Sequence, residues 1–195
     1  MKEKRYMDDW VNVVSIDEKT GREKRTPEYR GDWYIDKSTG ADKTRSALLG
    51  LAALMLLFGL FILYHMTGFP GSTVMYVFLP SALSLFPMLY WLIGLYCRYR
   101  APEKMTRRQK ESGISRLKRC AVGCAVLNGL ALLMDAVYLI TGGSAGREWP
   151  GTLIFAAACL LACLAARHYK SEEGRLLTEP SKWQPPVSGQ EGETP

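Results

Sequence analysis

The chain has 195 residues, of which 48% are hydrophobic and 23% are charged, and its formal net charge is +6. Its apolar residues are concentrated in four long blocks with the charges almost entirely between them, a pattern that excludes an ordinary soluble domain. The excess positive charge does not indicate a nucleic-acid-binding protein, because the first 45 residues nearly balance, with 11 basic against 10 acidic side chains. We therefore expect no nucleic-acid partner.

Residues 1–45 form a charged arm that we expect to be cytoplasmic. Val11 to Ile16 is a β-branched run, Asp17 to Gly21 has turn chemistry, and Arg22 to Tyr29 can return as a second strand. This pattern predicts a small β-hairpin. A partly ordered arm is the alternative, because an isolated two-stranded hairpin is marginally stable in water.

Three aromatic side chains of the arm are candidates for contact with a partner or with the lipid interface: Trp10, Trp33 and Tyr34. Amphipathic rings of this kind are typical of both protein interfaces and membrane surfaces. They are also the residues on which a hairpin could pack.

Four apolar windows are each long enough, at 1.5 Å per residue, to cross a hydrocarbon core of roughly 30 Å. They cover residues 46–66, 73–97, 118–141 and 150–168. We therefore predict an all-α integral membrane protein, a four-transmembrane-helix antiparallel bundle in the lipid bilayer. The second span carries Pro80 and Pro87, each of which removes a backbone hydrogen bond, so we expect a kink near its middle.

The distribution of Lys and Arg predicts the orientation of the spans. Eleven precede the first span, 9 lie from Arg98 to Arg119, in the central loop and at the very start of the third span, and only Arg147 falls in either of the other two loops. By the positive-inside rule, both termini and the basic loop 98–117 are expected to be cytoplasmic, in a protein of the cell membrane. An even number of spans agrees with this arrangement.

Of two polar segments on the expected cytoplasmic side, one has the pattern of a short helix and the other has the composition of a disordered tail. In the central loop, Thr106 and Gln109 have the spacing of a capping box and Gly113 is a plausible stop, so we expect a short basic helix. The tail, residues 169–195, becomes rich in Pro and Gly and is expected to be disordered.

Small residues at four-residue spacing predict how the helices pack, because lipid removes the hydrophobic drive between helices and close approach must replace it. The loop between the third and fourth spans is short, so these spans should be antiparallel neighbours whose small-residue stripes meet. The stripes are Ala121, Ala125 and Gly129 on the third span, and Ala158, Ala162 and Ala166 on the fourth.

One acidic residue, Asp135, lies inside the third span. Asn128 is seven residues earlier and shares its helix face, and Ser81 and Ser84 of the second span fall between the two in expected depth. A buried polar cluster of Asp135, Asn128, Ser81 and Ser84 is therefore geometrically possible. A charged aspartate at a helix centre costs about 2.5 to 3.5 kcal/mol on insertion scales, so it should face the bundle, a partner or water.

Two functions are compatible with these features. The first is a non-enzymatic subunit or scaffold of a membrane complex, with Asp135 in a structural hydrogen bond and with a membrane protein, a cytoplasmic protein or a second copy of the chain as partner. The alternative is a small proton- or cation-coupled transporter that uses Asp135. We expect no enzyme activity, metal or cofactor, because the sequence contains no nucleotide, zinc-protease or nucleophile motif.

Overall fold

The structure, a computed structural model of the chain, describes residues 9–16, 23–38, 40–141 and 145–180. It is mostly helical and contains two small antiparallel sheets. The predicted hairpin turn at residues 17–21 and the tail beyond residue 180 lie outside the described residues.

Six α-helices are described, together with a short 3-10 helix at Pro70–Thr73: α1 (Gly40–Met66), α2 (Met75–Leu83), α3 (Leu85–Tyr99), α4 (Arg107–Ser112), α5 (Ile114–Ile140) and α6 (Ala145–Gly174). Four helical segments are long and apolar enough to cross a membrane, by length and composition: Gly40–Met66, Met75–Tyr99, Arg107–Ile140 and Glu148–Gly174. The second combines α2 with α3, and the third combines α4 with α5. The four predicted apolar spans are therefore confirmed as long helical segments.

The helices of the first and fourth predicted spans, α1 and α6, extend beyond those spans at their polar ends. α1 begins at Gly40, within the region predicted as the arm, and α6 ends at Gly174. The added turns include Lys43, Arg45 and Glu172, which have good helix propensity but interrupt an apolar window. The helices are therefore longer than the windows from which the spans were predicted.

The second span is broken at Ser84, between its two prolines. Pro80 lies inside α2, which ends at Leu83, and Pro87 lies in the first turn of α3. Because Pro87 has no N–H, the carbonyl of Leu83 cannot receive the usual helical hydrogen bond. The predicted interruption is confirmed, and it is confined to a single turn residue.

Three segments that are far apart in sequence form one sheet. β3 (Trp33–Ile35) pairs on one side with β4 (Lys104–Met105) and on the other with β5 (Leu177–Glu179), both antiparallel. The predicted disorder of the tail is therefore wrong for residues 169–180, because α6 continues to Gly174 and main-chain pairing with β3 orders Leu177–Glu179. We call this end of the bundle the sheet end, and the opposite end, with the 3-10 helix, the loop end.

The predicted hairpin is present as β1 (Trp10–Ile16) and β2 (Glu23–Tyr29), with Trp10 opposite Tyr29. Tyr29 is packed between two tryptophans, at ring-centroid distances of 5.3 Å from Trp10 and 4.8 Å from Trp33. Its hydroxyl also accepts a hydrogen bond from the backbone N–H of Arg107 at 3.0 Å. These contacts attach the hairpin to the sheet end and supply the packing that an isolated hairpin lacks. The predicted capping box is confirmed at the start of α4.

α5 and α6 pack side by side through small residues. Ala121, Ala158 and Ala162 are buried in one apolar cluster, with Ala125 and Ala166 packed against it. A Cβ at Gly129 would lie 3.6 Å from Cys159 Sγ, so Gly129 is in van der Waals contact with α6. The small side chains of both helices therefore permit close approach.

A buried ion pair connects the sheet to the helices. Arg98, in the last turn of α3, donates to the Asp36 carboxylate at 2.5 Å, and the two side chains are only 4% and 6% exposed. Ser38 donates to the other oxygen of the same carboxylate, and Lys43 of α1 lies 3.7 Å away. The residue that follows β3 is thus held by α1 and α3 together.

The Asp36 carboxyl predicts a pH dependence of stability. Burial by itself would raise its pKa, but hydrogen bonds from Ser38 and Arg98 outweigh burial and hold the pKa below its usual value. A carboxyl with a depressed folded-state pKa stabilises the protein above its unfolded pKa of about 3.9, and this contribution is lost as pH falls through the folded value. The difference in melting temperature between wild type and Asp36→Asn in detergent should therefore shrink below about pH 4. A difference that grows on acidification would contradict this.

Candidate functional site

Two carboxyl groups are buried together at the loop end. Asp135 of α5 and Glu148 of α6 are both 0% exposed. Thr152 Oγ1 donates to Asp135 Oδ2 at 2.5 Å, and the backbone N–H of Gly71 donates to Glu148 Oε2 at 3.0 Å. The Tyr64 hydroxyl lies between the two acids, 3.5 Å from Asp135 Oδ1 and 3.4 Å from Glu148 Oε1. The site is therefore assembled from α1, α5, α6 and the 3-10 helix.

Aromatic packing around Tyr64 encloses the pair. The Tyr64 ring lies 4.3 Å from the Phe155 ring and is stacked at 5.5 Å on the Phe69 ring, measured between centroids. Tyr64 and Phe155 belong to a buried apolar cluster that also contains Val77 of α2. This apolar wall keeps water from the carboxyls, so they have to satisfy their hydrogen bonds within the protein.

Gly71 allows the loop to approach the acids closely. A Cβ at this position would lie 2.5 Å from Glu148 Oε1, 2.8 Å from Asp135 Oδ1 and 2.9 Å from Tyr64 Oη. All three atoms are fully buried, and none can move aside without losing a partner. A glycine is therefore required here for lack of space.

Gly71→Ala should lower the free energy of unfolding by about 1–3 kcal/mol, the usual cost of overpacking a buried site. Gly59→Ala is the matched control, because a Cβ at Gly59 meets nothing within 4 Å and alanine is the better helix former. Thermal unfolding of the two variants in detergent measures the difference. Equal stability of the two variants would contradict the close approach.

Among the side chains that the structure describes, which do not include that of Arg147, no Lys, Arg or His forms an ion pair with Asp135 or Glu148. The Tyr64 hydroxyl lies within 3.5 Å of both carboxyl groups, so the two acids are close enough to repel each other when both are ionised. Chemically, the arrangement can hold and release a proton, or accept a small cation in its place.

The structure does not join the four residues of the predicted polar cluster into one site. Asn128 donates to the carbonyl of Cys124 at 2.8 Å, and Ser84 donates to the carbonyl of Ser81 at 2.6 Å. The Ser81 hydroxyl lies 3.1 Å from His65 Nε2. Asn128 and Ser84 donate to carbonyls of their own helical turns. Of the four predicted residues, only Asp135 belongs to the acid pair.

The three aromatic residues predicted for partner contact have different environments. Trp10 is 43% exposed. Trp33 and Tyr34 are half-buried, and a lysine ammonium group lies over each ring. Lys104 Nζ is 4.9 Å from the Trp33 centroid, and Lys110 Nζ is 4.1 Å from the Tyr34 centroid. These two rings therefore contribute to internal packing, and Trp10 remains the available surface residue.

Glu148 and Tyr64 were missed by the sequence reasoning. Glu148 lies just outside the apolar window that was taken to begin at residue 150, and it was assigned to a loop. Its spacing from Thr152 was an available signal, because residues four apart on a helix share a face. Tyr64 gave no such signal, since a tyrosine at the end of an apolar span is also typical of an interfacial residue.

Comparison with known proteins gave no match to a protein-family model, to a curated protein or to a solved structure.

Proposed function

We propose that the chain is a multi-pass protein of the cell membrane, with both termini and the basic central loop on the cytoplasmic side, and that it acts as a non-enzymatic subunit or scaffold of a membrane complex. Support for membrane insertion comes from exposed leucines on all four helical segments: Leu48 (61%), Leu89 (61%), Leu133 (63%) and Leu160 (63%). Such side chains are stable in hydrocarbon and would be an aggregation risk in water.

The three-stranded sheet is the observation that carries the proposal. Its strands come from the arm, the central loop and the tail, which are the three segments that the positive-inside rule assigns to the cytoplasm. Strands that are hydrogen-bonded to one another have to lie on the same side of the bilayer. The sheet therefore supports a common side for the three segments independently of charge, and the distribution of Lys and Arg assigns that side to the cytoplasm.

The hairpin is the part of the sheet end best suited to bind a protein partner. β1 and β2 pair only with each other in the described chain, so no further strand covers the outer edge of either. Trp10 and Val11, at the start of β1, are both exposed. An open strand edge beside an exposed tryptophan favours a partner that adds an extended segment to the sheet.

Purification from native membranes in a mild detergent, after crosslinking, tests this function. We expect a partner in stoichiometric amount, or a second copy of the chain, with wild type and with Trp149→Ser, which removes an exposed tryptophan (56%) from the loop end. Trp10→Ser should lose the partner. Recovery of the chain alone in every case, or retention of the partner by Trp10→Ser, would reject the proposal.

A second candidate is proton- or cation-coupled transport through the acid pair. It is favoured by Glu148, which adds a second buried carboxyl to Asp135, whereas a single acid is more typical of a structural hydrogen bond. Both acids are fully buried, so a path to them has to open during transport. We rank this function second for that reason.

Proton flux into proteoliposomes containing the purified chain tests transport. Asp135→Asn and Glu148→Gln should each abolish a flux that wild type supports, while Asn128→Leu, outside the pair, should retain it. Equal flux through wild type and both acid variants would reject the transport function. That result would not bear on the scaffold proposal, which the purification experiment tests.

A further inference from the structure

A polar cavity of about 520 Å³ opens at the sheet end between α1, α6 and the segment after β3. Asp36, Arg98 and Glu172 form its inner wall. Arg98 Nε and Glu172 Oε2 are buried 4.0 Å apart, and neither atom has a hydrogen-bond partner. The inner wall therefore holds a charged donor and acceptor that the protein itself leaves incompletely satisfied.

The exposed side chains that line the cavity include one acid, Asp42, and three cations: Lys37, Arg45 and Arg175. Within the residues that the structure covers, none of these three cations forms an ion pair. Unpaired arginines at the edge of a cavity favour an anion, and the guanidinium geometry suits a phosphate group.

An apolar groove of about 360 Å³ continues from the cavity along α1 and α6. Leu49 and His168 line both spaces, and Ala52, Leu56 and Leu164 line the groove further along. From Leu49 to Leu56 the groove follows about 10 Å of α1, at 1.5 Å per residue. The charged cavity is thus continuous with an apolar groove that is open at the surface of α1 and α6.

We propose that this joined cavity and groove bind one membrane phospholipid. Arg45 and Arg175 hold the phosphodiester at the mouth of the cavity, and the first part of an acyl chain lies in the groove between α1 and α6. A free phosphate would use only the arginines, whereas the groove has apolar surface that matches a hydrocarbon chain. The site rests on the membrane insertion proposed above, and the cationic mouth lies at the helix ends, where headgroups would be found.

Native mass spectrometry of the full chain in detergent, titrated with phosphatidylglycerol, tests the site. We expect one lipid per chain, and binding weakened on the order of tenfold in Arg45→Ala/Arg175→Ala, because each cation near an anionic headgroup contributes. Arg100→Ala/Arg108→Ala removes the same charge from exposed positions outside the cavity and should bind like wild type. Equal weakening of the two double variants would overturn the proposal.

The groove has its own pair of variants. Ala52→Trp fills it from an exposed position and should weaken phosphatidylglycerol binding, while Met55→Trp, exposed on α1 outside the groove, should not. Soluble glycerophosphoglycerol, which has the phosphodiester without acyl chains, should not compete. Effective competition, or unchanged binding to Ala52→Trp, would assign the arginines to a free anion and overturn the lipid site. Lipid binding in detergent does not depend on the orientation of the chain in a membrane or on a protein partner. Failure of the lipid site is therefore distinguishable from failure of the proposed function.

Discussion

Replacing Arg98 with leucine should lower the free energy of unfolding by about 3–5 kcal/mol, the usual cost of removing one partner of a buried ion pair. Its side chain is 4% exposed, and its loss leaves the Asp36 carboxylate buried with Lys43 at 3.7 Å as the remaining cation. The same change removes the cation beside Glu172. Denaturant unfolding in mixed micelles measures the effect.

The double variant Arg98→Leu/Asp36→Asn separates the ion pair from simple loss of packing. Because the buried charge is then gone, the double variant should regain part of the stability that Arg98→Leu loses. Lys104→Leu is the control: Lys104 and Glu179 are each 53% exposed, and such pairs contribute about 0–1 kcal/mol. If Arg98→Leu costs no more than Lys104→Leu, the network does not hold the sheet to the helices.

Asp135→Leu should lower the free energy of unfolding by about 2–4 kcal/mol, while Asp135→Asn should change it by about 1 kcal/mol or less. Leucine leaves the Thr152 hydroxyl without its acceptor and gives Glu148 an apolar neighbour. Asparagine can accept from Thr152 and donate to Glu148. Thermal unfolding of both variants, with Thr152→Val as a single-hydrogen-bond control, gives the comparison.

A large cost for Asp135→Asn would contradict this hydrogen-bonding role of the Asp135 side chain. It would indicate that a bound cation balances the two carboxyl groups. In that case the stability of wild type, but not of Asp135→Asn, should depend on the concentration of that cation, by linkage of binding to folding.

The long elements were predictable because each has a local cause. The long apolar windows favoured long helices, the β-branched run from Val11 favoured the hairpin, and Pro80 with Pro87 removed hydrogen bonds that would have kept the second span continuous. These signals extend over a few neighbouring residues, and a sequence displays them directly.

The three-stranded sheet had no such signal. β4 is two residues long and β5 is three, and both lie in charged segments with no alternating pattern. Their order comes from pairing with β3, more than 60 residues away in either case, which a single sequence does not reveal. The predicted disorder of residues 177–179 had the same origin.

The candidate site was predictable only in part. Asp135 stood out because an acid in an apolar window is costly, but its partner could not be found by depth alone. Ser81, Ser84 and Asn128 had similar expected depths, but Ser84 and Asn128 donate to carbonyls of their own turns and the Ser81 hydroxyl contacts His65. Glu148 reaches Asp135 because α6 continues through Pro150 to Ala145, beyond its apolar window.

Cysteine labelling of intact cells tests the arrangement of the whole chain most directly. In a variant without its five native cysteines, single cysteines would replace Thr67 at the loop end and Glu103 in the central loop, both exposed. A membrane-impermeant maleimide should label Thr67→Cys in intact cells and Glu103→Cys only after lysis. Labelling of both residues from outside would contradict a bilayer-spanning bundle whose sheet lies in the cytoplasm.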